Sequence, residues 1–169
     1  TMPGWPIFSF SPITIVSASR SLTGDYVGAG TSDGRVLLTQ VRFRPKYEEQ
    51  KLVDLEIDVR ARGAHAVDPA ARRVRLAACQ EHGGRKAVAA VFADGDVRVL
   101  RVGEDESEQR AELQVAPGER VTQLALSRTE GLVAATDRGL LYYWELDNGF
   151  RLANRPDLRG AIGNALGEG

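Results

Sequence analysis

One phrase recurs three times along the chain: a short apolar run, a tight turn carrying glycine, and a second apolar run. The first copy is Tyr26-Val27-Gly28-Ala29-Gly30, the turn Ser32-Asp33-Gly34, then Val36-Leu37-Leu38. The second is Val88-Ala89-Ala90-Val91-Phe92, the turn Asp94-Gly95, then Val97-Arg98-Val99-Leu100. The third is Leu132-Val133-Ala134-Ala135, the turn Asp137-Arg138-Gly139, then Leu140-Leu141-Tyr142-Tyr143-Trp144. Such turns between apolar runs select β-hairpins, because they need positive φ and glycine adopts it without steric cost. A repeated unit constrains the fold strongly: one copy cannot bury its own apolar faces, so neighbours must stack on one another.

Each hairpin is flanked by further strand-like runs. Ile13-Thr14-Ile15-Val16, Val74-Arg75-Leu76 and Val121 to Leu126 precede the three copies. Leu52 to Ile57, Ala111 to Val115 and Phe150-Arg151-Leu152 follow them. The following runs alternate, which gives a strand with one buried and one wet face. The middle runs Val88–Phe92 and Leu132–Ala135 are small and apolar throughout, as strands covered on both faces must be. The fold class expected is therefore all-β: a partial, open β-propeller of about three four-stranded antiparallel blades. It spans residues 1–154, with blades near 12–59, 72–116 and 119–154. Residues 5–10 read as the outer strand of a preceding blade. Residues 155–169, with Pro156 and several glycines, read as a loosely ordered tail. A two-sheet sandwich is the alternative, disfavoured by the recurrence of one four-strand phrase.

The turn glycines 34, 95 and 139 are 61 and 44 residues apart. The second interval suits a propeller blade of about 40–45 residues. The excess in the first is assigned to loops at Phe43–Gln50, Arg60–Arg72 and Gln80–Lys86. Asp68–Arg72 and Glu104–Gln109 each suit a single helical turn.

The formal net charge of −1 provides no global field to draw nucleic acid or anionic lipid. No apolar run approaches the roughly 18 residues of a membrane-spanning helix. The N-terminus lacks a basic segment ahead of an apolar one, so it does not read as a signal peptide. The one cysteine, Cys79, has no disulfide partner within the chain. Cys79 and His82 lie three apart, but no second pair completes a zinc site, and His65 stands alone. Gly30-Thr31-Ser32-Asp33-Gly34 spells a nucleophile elbow, yet it leads into a strand where an elbow needs a helix. The same context rules out Gly28 and Gly30 as a dinucleotide loop. Cys79 reads as a small buried residue rather than a nucleophile. The carboxylates sit at turns and on alternating strands, where solvation accounts for them. No catalytic residue, metal or cofactor is therefore assigned, and the chain is expected not to be an enzyme.

The candidate partner-binding residues are Arg42, Arg44, Lys46 and Tyr47, a basic-aromatic group in a long hairpin that could touch phosphate or an acidic partner. The plainer reading is a solvated hairpin whose Lys and Arg stems lie over apolar surface. Tyr142, Tyr143 and Trp144 lie in one strand, so at least alternate ones pack inward, and RNA stacking would want several exposed rings.

The third unit resembles a WD-repeat blade: Gly118-Glu119-Arg120-Val121, then Gly131 to Asp137, then Leu140 to Trp144-Glu145. Glu119 stands where the family carries a histidine, so the family's His–Ser/Thr–Asp–Trp hydrogen-bond network cannot form and the likeness is WD-like. A broader resemblance rests on Tyr26 to Val36 running into Arg42-Phe43-Arg44-Pro45-Lys46-Tyr47, on Asp94 to Leu100, and on Val121-Thr122-Gln123-Leu124. In wording and order these are similar to the soluble propeller-like domain of the large phosphate-type ABC transporter permease of bacteria. That resemblance implies a parent in the inner membrane, a domain facing the periplasm, and further blades beyond the chain. It also implies a non-catalytic docking or regulatory role in phosphate uptake. The partners would be other transporter subunits or the periplasmic phosphate-binding protein. The alternative is a cytoplasmic WD-like protein-interaction scaffold. In either setting three blades leave two open faces, to be covered by missing blades or by self-association.

Overall fold

The computed structural model describes residues 15–20, 25–70, 72–154 and 156. Among these there is no helix, and twelve strands form three four-stranded antiparallel meanders. The first sheet holds β1 (Ile15–Arg20), β2 (Tyr26–Thr31), β3 (Arg35–Glu48) and β4 (Lys51–Ala66). The second holds β5 (Val74–His82), β6 (Arg85–Phe92), β7 (Val97–Val102) and β8 (Glu108–Leu113). The third holds β9 (Val121–Leu126), β10 (Gly131–Thr136), β11 (Leu141–Glu145) and β12 (Arg151–Asn154). Strand β5 packs against β1 and β2 on one side and against β9 on the other, so the second sheet lies between the first and third. The described residues thus form three blades of an open β-propeller.

Side-chain alternation along the second blade builds the core. Cys79, Val88, Ala90, Phe92 and Leu100 join Val36 and Leu38 of the first blade in one buried cluster. Their alternating neighbours Ala78, Ala89, Val91 and Val99 join Leu124, Leu132, Tyr142 and Trp144 of the third blade in another. The run Ala87–Phe92 is therefore buried at every position, because each side chain meets one flanking blade. A two-sheet sandwich, with one wet face per sheet, would bury only alternate residues of that strand.

Close approach of the first two blades requires one glycine. A Cβ on Gly28 would stand 3.1 Å from Cys79 Sγ and 3.3 Å from both Cys79 Cβ and its backbone nitrogen. The hairpin glycines expected from sequence take positive φ: Gly34 at 86°, Gly95 at 98° and Gly139 at 74°.

The long first interval differs from expectation. Most of Phe43–Gln50 and of Arg60–Arg72 is not loop: β3 and β4 run through to Glu48 and from Lys51 to Ala66 and pair along that length. Only Glu49 and Gln50 join them, with φ of 46° and 68°. This is the two-residue turn normally filled by Asn-Gly. Gln80–Lys86 is likewise strand, broken only by the Gly83-Gly84 turn. No helical turn forms at Glu104–Gln109, where a turn at Glu104-Asp105 leads into β8. At Asp68–Arg72, Pro69 and Ala70 form a turn capped by Asp68 Oδ1, which accepts from Ala70 N at 3.0 Å, while Ala71 lies outside the described residues. The expected strand at residues 5–10, the Ile13-Thr14 start of the first blade, and the tail from 155 apart from Pro156 also lie outside them.

Candidate functional site

Strand β2 begins at Tyr26, opposite Gln40, and Val41 N donates to Asp25 O at 2.8 Å. Beyond that point β3 and β4 continue as a ribbon of two strands only, among the described residues. Residues 42–48 extend it by about 24 Å at the usual antiparallel rise. We call this ribbon the arm.

The register of the arm sorts its side chains by face. Directly opposed residues point to the same side, and successive ones to opposite sides. Val41 opposes Val59, Phe43 opposes Ile57, and Pro45 opposes Leu55. A bulge after Lys46 takes up Val53, so Tyr47 meets Leu52 and the apolar series continues on one side to the turn. On the other side Arg42 opposes Asp58, Arg44 opposes Glu56, Lys46 opposes Asp54, and Glu48 opposes Lys51. Lys46 Nζ lies 3.6 Å from Asp54 Oδ2, while Asp58 pairs with Arg60 at 2.9 Å. One face is wholly apolar and the other is a ladder of opposite charges.

The sequence-derived residues are thus divided. Arg42, Arg44 and Lys46 share the charged face, each opposite a carboxylate; Tyr47 lies on the apolar face. The arm carries four cations and five carboxylates between 42 and 58, so it presents no net positive field to phosphate. The apolar face is open: Phe43 is 51% exposed, Tyr47 63%, Ile57 56% and Leu52 58%. Scattered apolar side chains are ordinary on a surface, whereas a contiguous face is often an interaction site.

At the base of the arm an open cleft of about 470 Å³ lies against the β5–β6 turn, lined by Asp25, Tyr26, Arg42, Arg44, His82 and Arg128 among others. Both carboxylates that line it, Asp25 and Glu81, are ion-paired. Arg128 Nη2 is 3.6 Å from Asp25 Oδ2, and Arg62 holds Glu81 with contacts of 2.6 and 3.0 Å. The hydrogen bond from Arg62 is the chief reason the Glu81 carboxyl sits below the usual range. Burial, with the Glu81 charge next, raises the Tyr26 phenol.

The groups weighed for chemistry do not converge. Cys79 is buried at 1% exposure beneath Gly28, and desolvation pushes its thiol up to about 12. A thiol of that kind is not a nucleophile near neutrality. His82, three residues on, projects from the opposite face of β5. Ser32 occupies the β2–β3 turn, and His65 lies on β4 opposite Val36, where burial and then the Lys86 charge lower its pKa. Among the described residues no group of three or more His, Cys, Asp or Glu is placed to hold a metal.

Two polar clusters, neither expected from sequence, tie strands and loops together within the blades. Arg72 donates to Asp68 at 2.5 Å and to Asp96 at 2.7 Å, bonds Asp94 as well, and lies 4.7 Å above the Phe92 ring. Burial works to raise the Asp68 carboxyl, but Ala70 N–H and the Arg72 guanidinium outweigh it and hold it below its usual range. In the third blade Tyr142 Oη donates to Glu119 Oε2 at 2.9 Å and accepts from Ala116 N at 3.0 Å. Arg120 N donates to Asp137 Oδ1 at 2.9 Å. Glu119, standing where WD-repeats have histidine, thus ties the loop before β9 to β11 by a different pair. The alternation of Tyr142 and Trp144 was the only sequence sign of this; both are buried on one face and stack at 5.3 Å.

No family model matches the chain, and no curated protein is similar to it at a significant level. Several solved structures do resemble it. The β-propeller domain of Cps50 (Swd1) from Myceliophteria thermophila is similar at TM-score 0.51 and 15% identity, over 86% of this chain and 44% of that one. A chain of a mitotic checkpoint complex is similar at TM-score 0.50 and 14% identity, over 86% of this chain and 37% of that one. The WD40 domain of SCAP from fission yeast gives a TM-score of 0.47 at 12% identity, over 87% of this chain and 43% of that one. This chain therefore spans under half the length of each of these three solved chains. At these identities the likeness is one of fold: part of a β-propeller.

Proposed function

We propose that the chain is a protein-docking scaffold: stacked blades form a stiff body, and the arm is its principal contact. The observation that carries this is the arm's continuous apolar face, half exposed and backed by a self-neutralised charged face. Large apolar side chains left open in a row mark an interaction surface. Interfaces of this kind gain most from aromatic anchors, and Phe43 and Tyr47 supply one toward each end of this face. The fold supports the reading as well, because propellers present rigid edges and loops to partners.

Of the two settings the sequence suggests, the WD-like scaffold has the support of the structural neighbours. The phosphate-transporter setting, with the domain facing the periplasm, rests on the sequence resemblance alone. A photoreactive p-benzoylphenylalanine placed at Phe43 or Ile57, with Glu112 on the body as control, tests the docking reading in cells. Crosslinks to polypeptide from the arm and not from position 112 are expected; absence of arm crosslinks overturns the reading. A crosslinked permease or periplasmic phosphate-binding protein would select the transporter setting, and a soluble complex the scaffold.

A further inference from the structure

We infer that the apolar face of the arm is a self-association surface, which pairs with the same face of a second copy of this chain about a two-fold axis. The inference rests on the docking reading above and names the partner.

Area is the first argument. Six side chains, Phe43, Tyr47, Leu52, Leu55, Ile57 and Val59, are each 47–63% exposed. Side chains of this size carry roughly 150–200 Å² apiece, so about 600 Å² of apolar surface lies open on one copy. That reaches the upper end of the largest patch an ordinary monomer shows, roughly 300–600 Å². Laid face to face, two arms would remove at most about 1,200 Å² in total, which just reaches the lower end of the range for specific interfaces.

Self-complementarity is the second. A two-fold contact sets one patch against itself, so like charges in the patch would repel. This patch has none: from Val41 and Val59 to Tyr47 and Leu52 every opposed pair is apolar. The charges lie on the reverse face, where each cation opposes a carboxylate within its own copy. Two such ribbons, each with the ordinary right-handed twist, can then stack like the aligned sheets of a sandwich, about 10 Å apart, with their charged faces outward.

A lipid surface fits less well. The end of the arm that would lead into a bilayer is Glu48-Glu49-Gln50-Lys51, and the arm as a whole has one more carboxylate than cations. Neither favours anionic headgroups or insertion.

The experiment is sedimentation velocity on the whole chain from about 1 to about 200 μM, a range set by the modest area of the contact. It compares the natural sequence with Phe43→Lys and Ile57→Glu. Both substitutions lie on the solvent side of the arm, away from the blade clusters, and circular dichroism with thermal melting checks that the body keeps its fold. Leu55→Cys, near the middle of the arm, adds an independent readout under air oxidation, since the natural Cys79 is buried. A concentration-dependent dimer is expected, weakened at least tenfold by either charge substitution and trapped by a disulfide between the introduced thiols of two copies. A monomer at the highest concentration, or a dimer that both substitutions leave intact, overturns the inference. The docking reading is judged apart: if the photoreactive arm captures only other polypeptides, self-pairing is wrong and docking stands. If the chain is monomeric and the arm captures nothing, both fall.

Discussion

Gly28→Val would test the stacking of the first blade on the second. A Cβ at this position meets Cys79 Sγ at 3.1 Å, and Cys79 Cβ and N at 3.3 Å. The sulfur can turn aside; the backbone nitrogen moves only if β5 moves, and β5 is held by β6 along its length. Alanine here therefore gains back roughly 0.5–1 kcal/mol of strand preference over glycine while forcing a shift of a few tenths of an ångström, leaving a net change near zero. Valine adds two methyls directed into the filled contact, and overpacking of that kind costs about 1–3 kcal/mol. A loss of about 2 kcal/mol corresponds to a fall in Tm of roughly 4–8 °C for a chain of this size. Urea denaturation of Gly28→Val, Cys79→Ala and the double variant measures it. Removing the sulfur relieves the nearest clash but leaves the other two, so the cycle should show coupling of about 1 kcal/mol, with the double variant less harmed than the sum of the singles. Equal losses for valine with and without the sulfur, or a Gly28→Val protein as stable as its parent, would mean that β2 and β5 do not meet as described.

Two further outcomes are expected. The Cys79 thiol titrates near 9 when unfolded and about 12 when folded, so the unfolded chain loses its proton first as pH rises. Stability should therefore be unaffected by this group below about pH 9 and fall by up to about 1.4 kcal/mol per unit between about 9 and 12. Cys79→Ala should abolish that part of the slope in urea titrations across the window. Tyr142→Phe removes the hydroxyl that donates to Glu119 and accepts from Ala116 N. It should lower the urea midpoint by an amount equal to about 1–2 kcal/mol, whereas Glu119→Gln, which keeps an acceptor oxygen, should lose less.

The hairpin turns and the burial of the middle strands could be read from residues because they are local properties. Asp94-Gly95 and its two counterparts need positive φ and advertise it with glycine. The run Val88–Phe92 excludes polar atoms from both faces and so declares that both are covered. The arm was not legible in the same way. Its turn, Glu49-Gln50, takes positive φ without glycine or asparagine, and its length is paired strand where charge and Pro45 suggested loop. The cations Arg42, Arg44 and Lys46 were visible as a group, but the carboxylates that oppose them come from the returning strand. Only the register put Asp58, Glu56 and Asp54 across from them and left Tyr47 on the other face.

By itself the sequence determined the all-β fold class, where three of its hairpins turn, and which middle strands lie inside. These follow from the period-two pattern and from the steric freedom of glycine, both set within a few residues. Tertiary structure decided how far β3 and β4 run, which blade each face of the second sheet meets, and that the apolar residues of the arm gather on one side unburied. Those depend on pairing between residues far apart in the chain, where a one-residue slip would exchange the apolar and charged faces, and no local pattern fixes that choice.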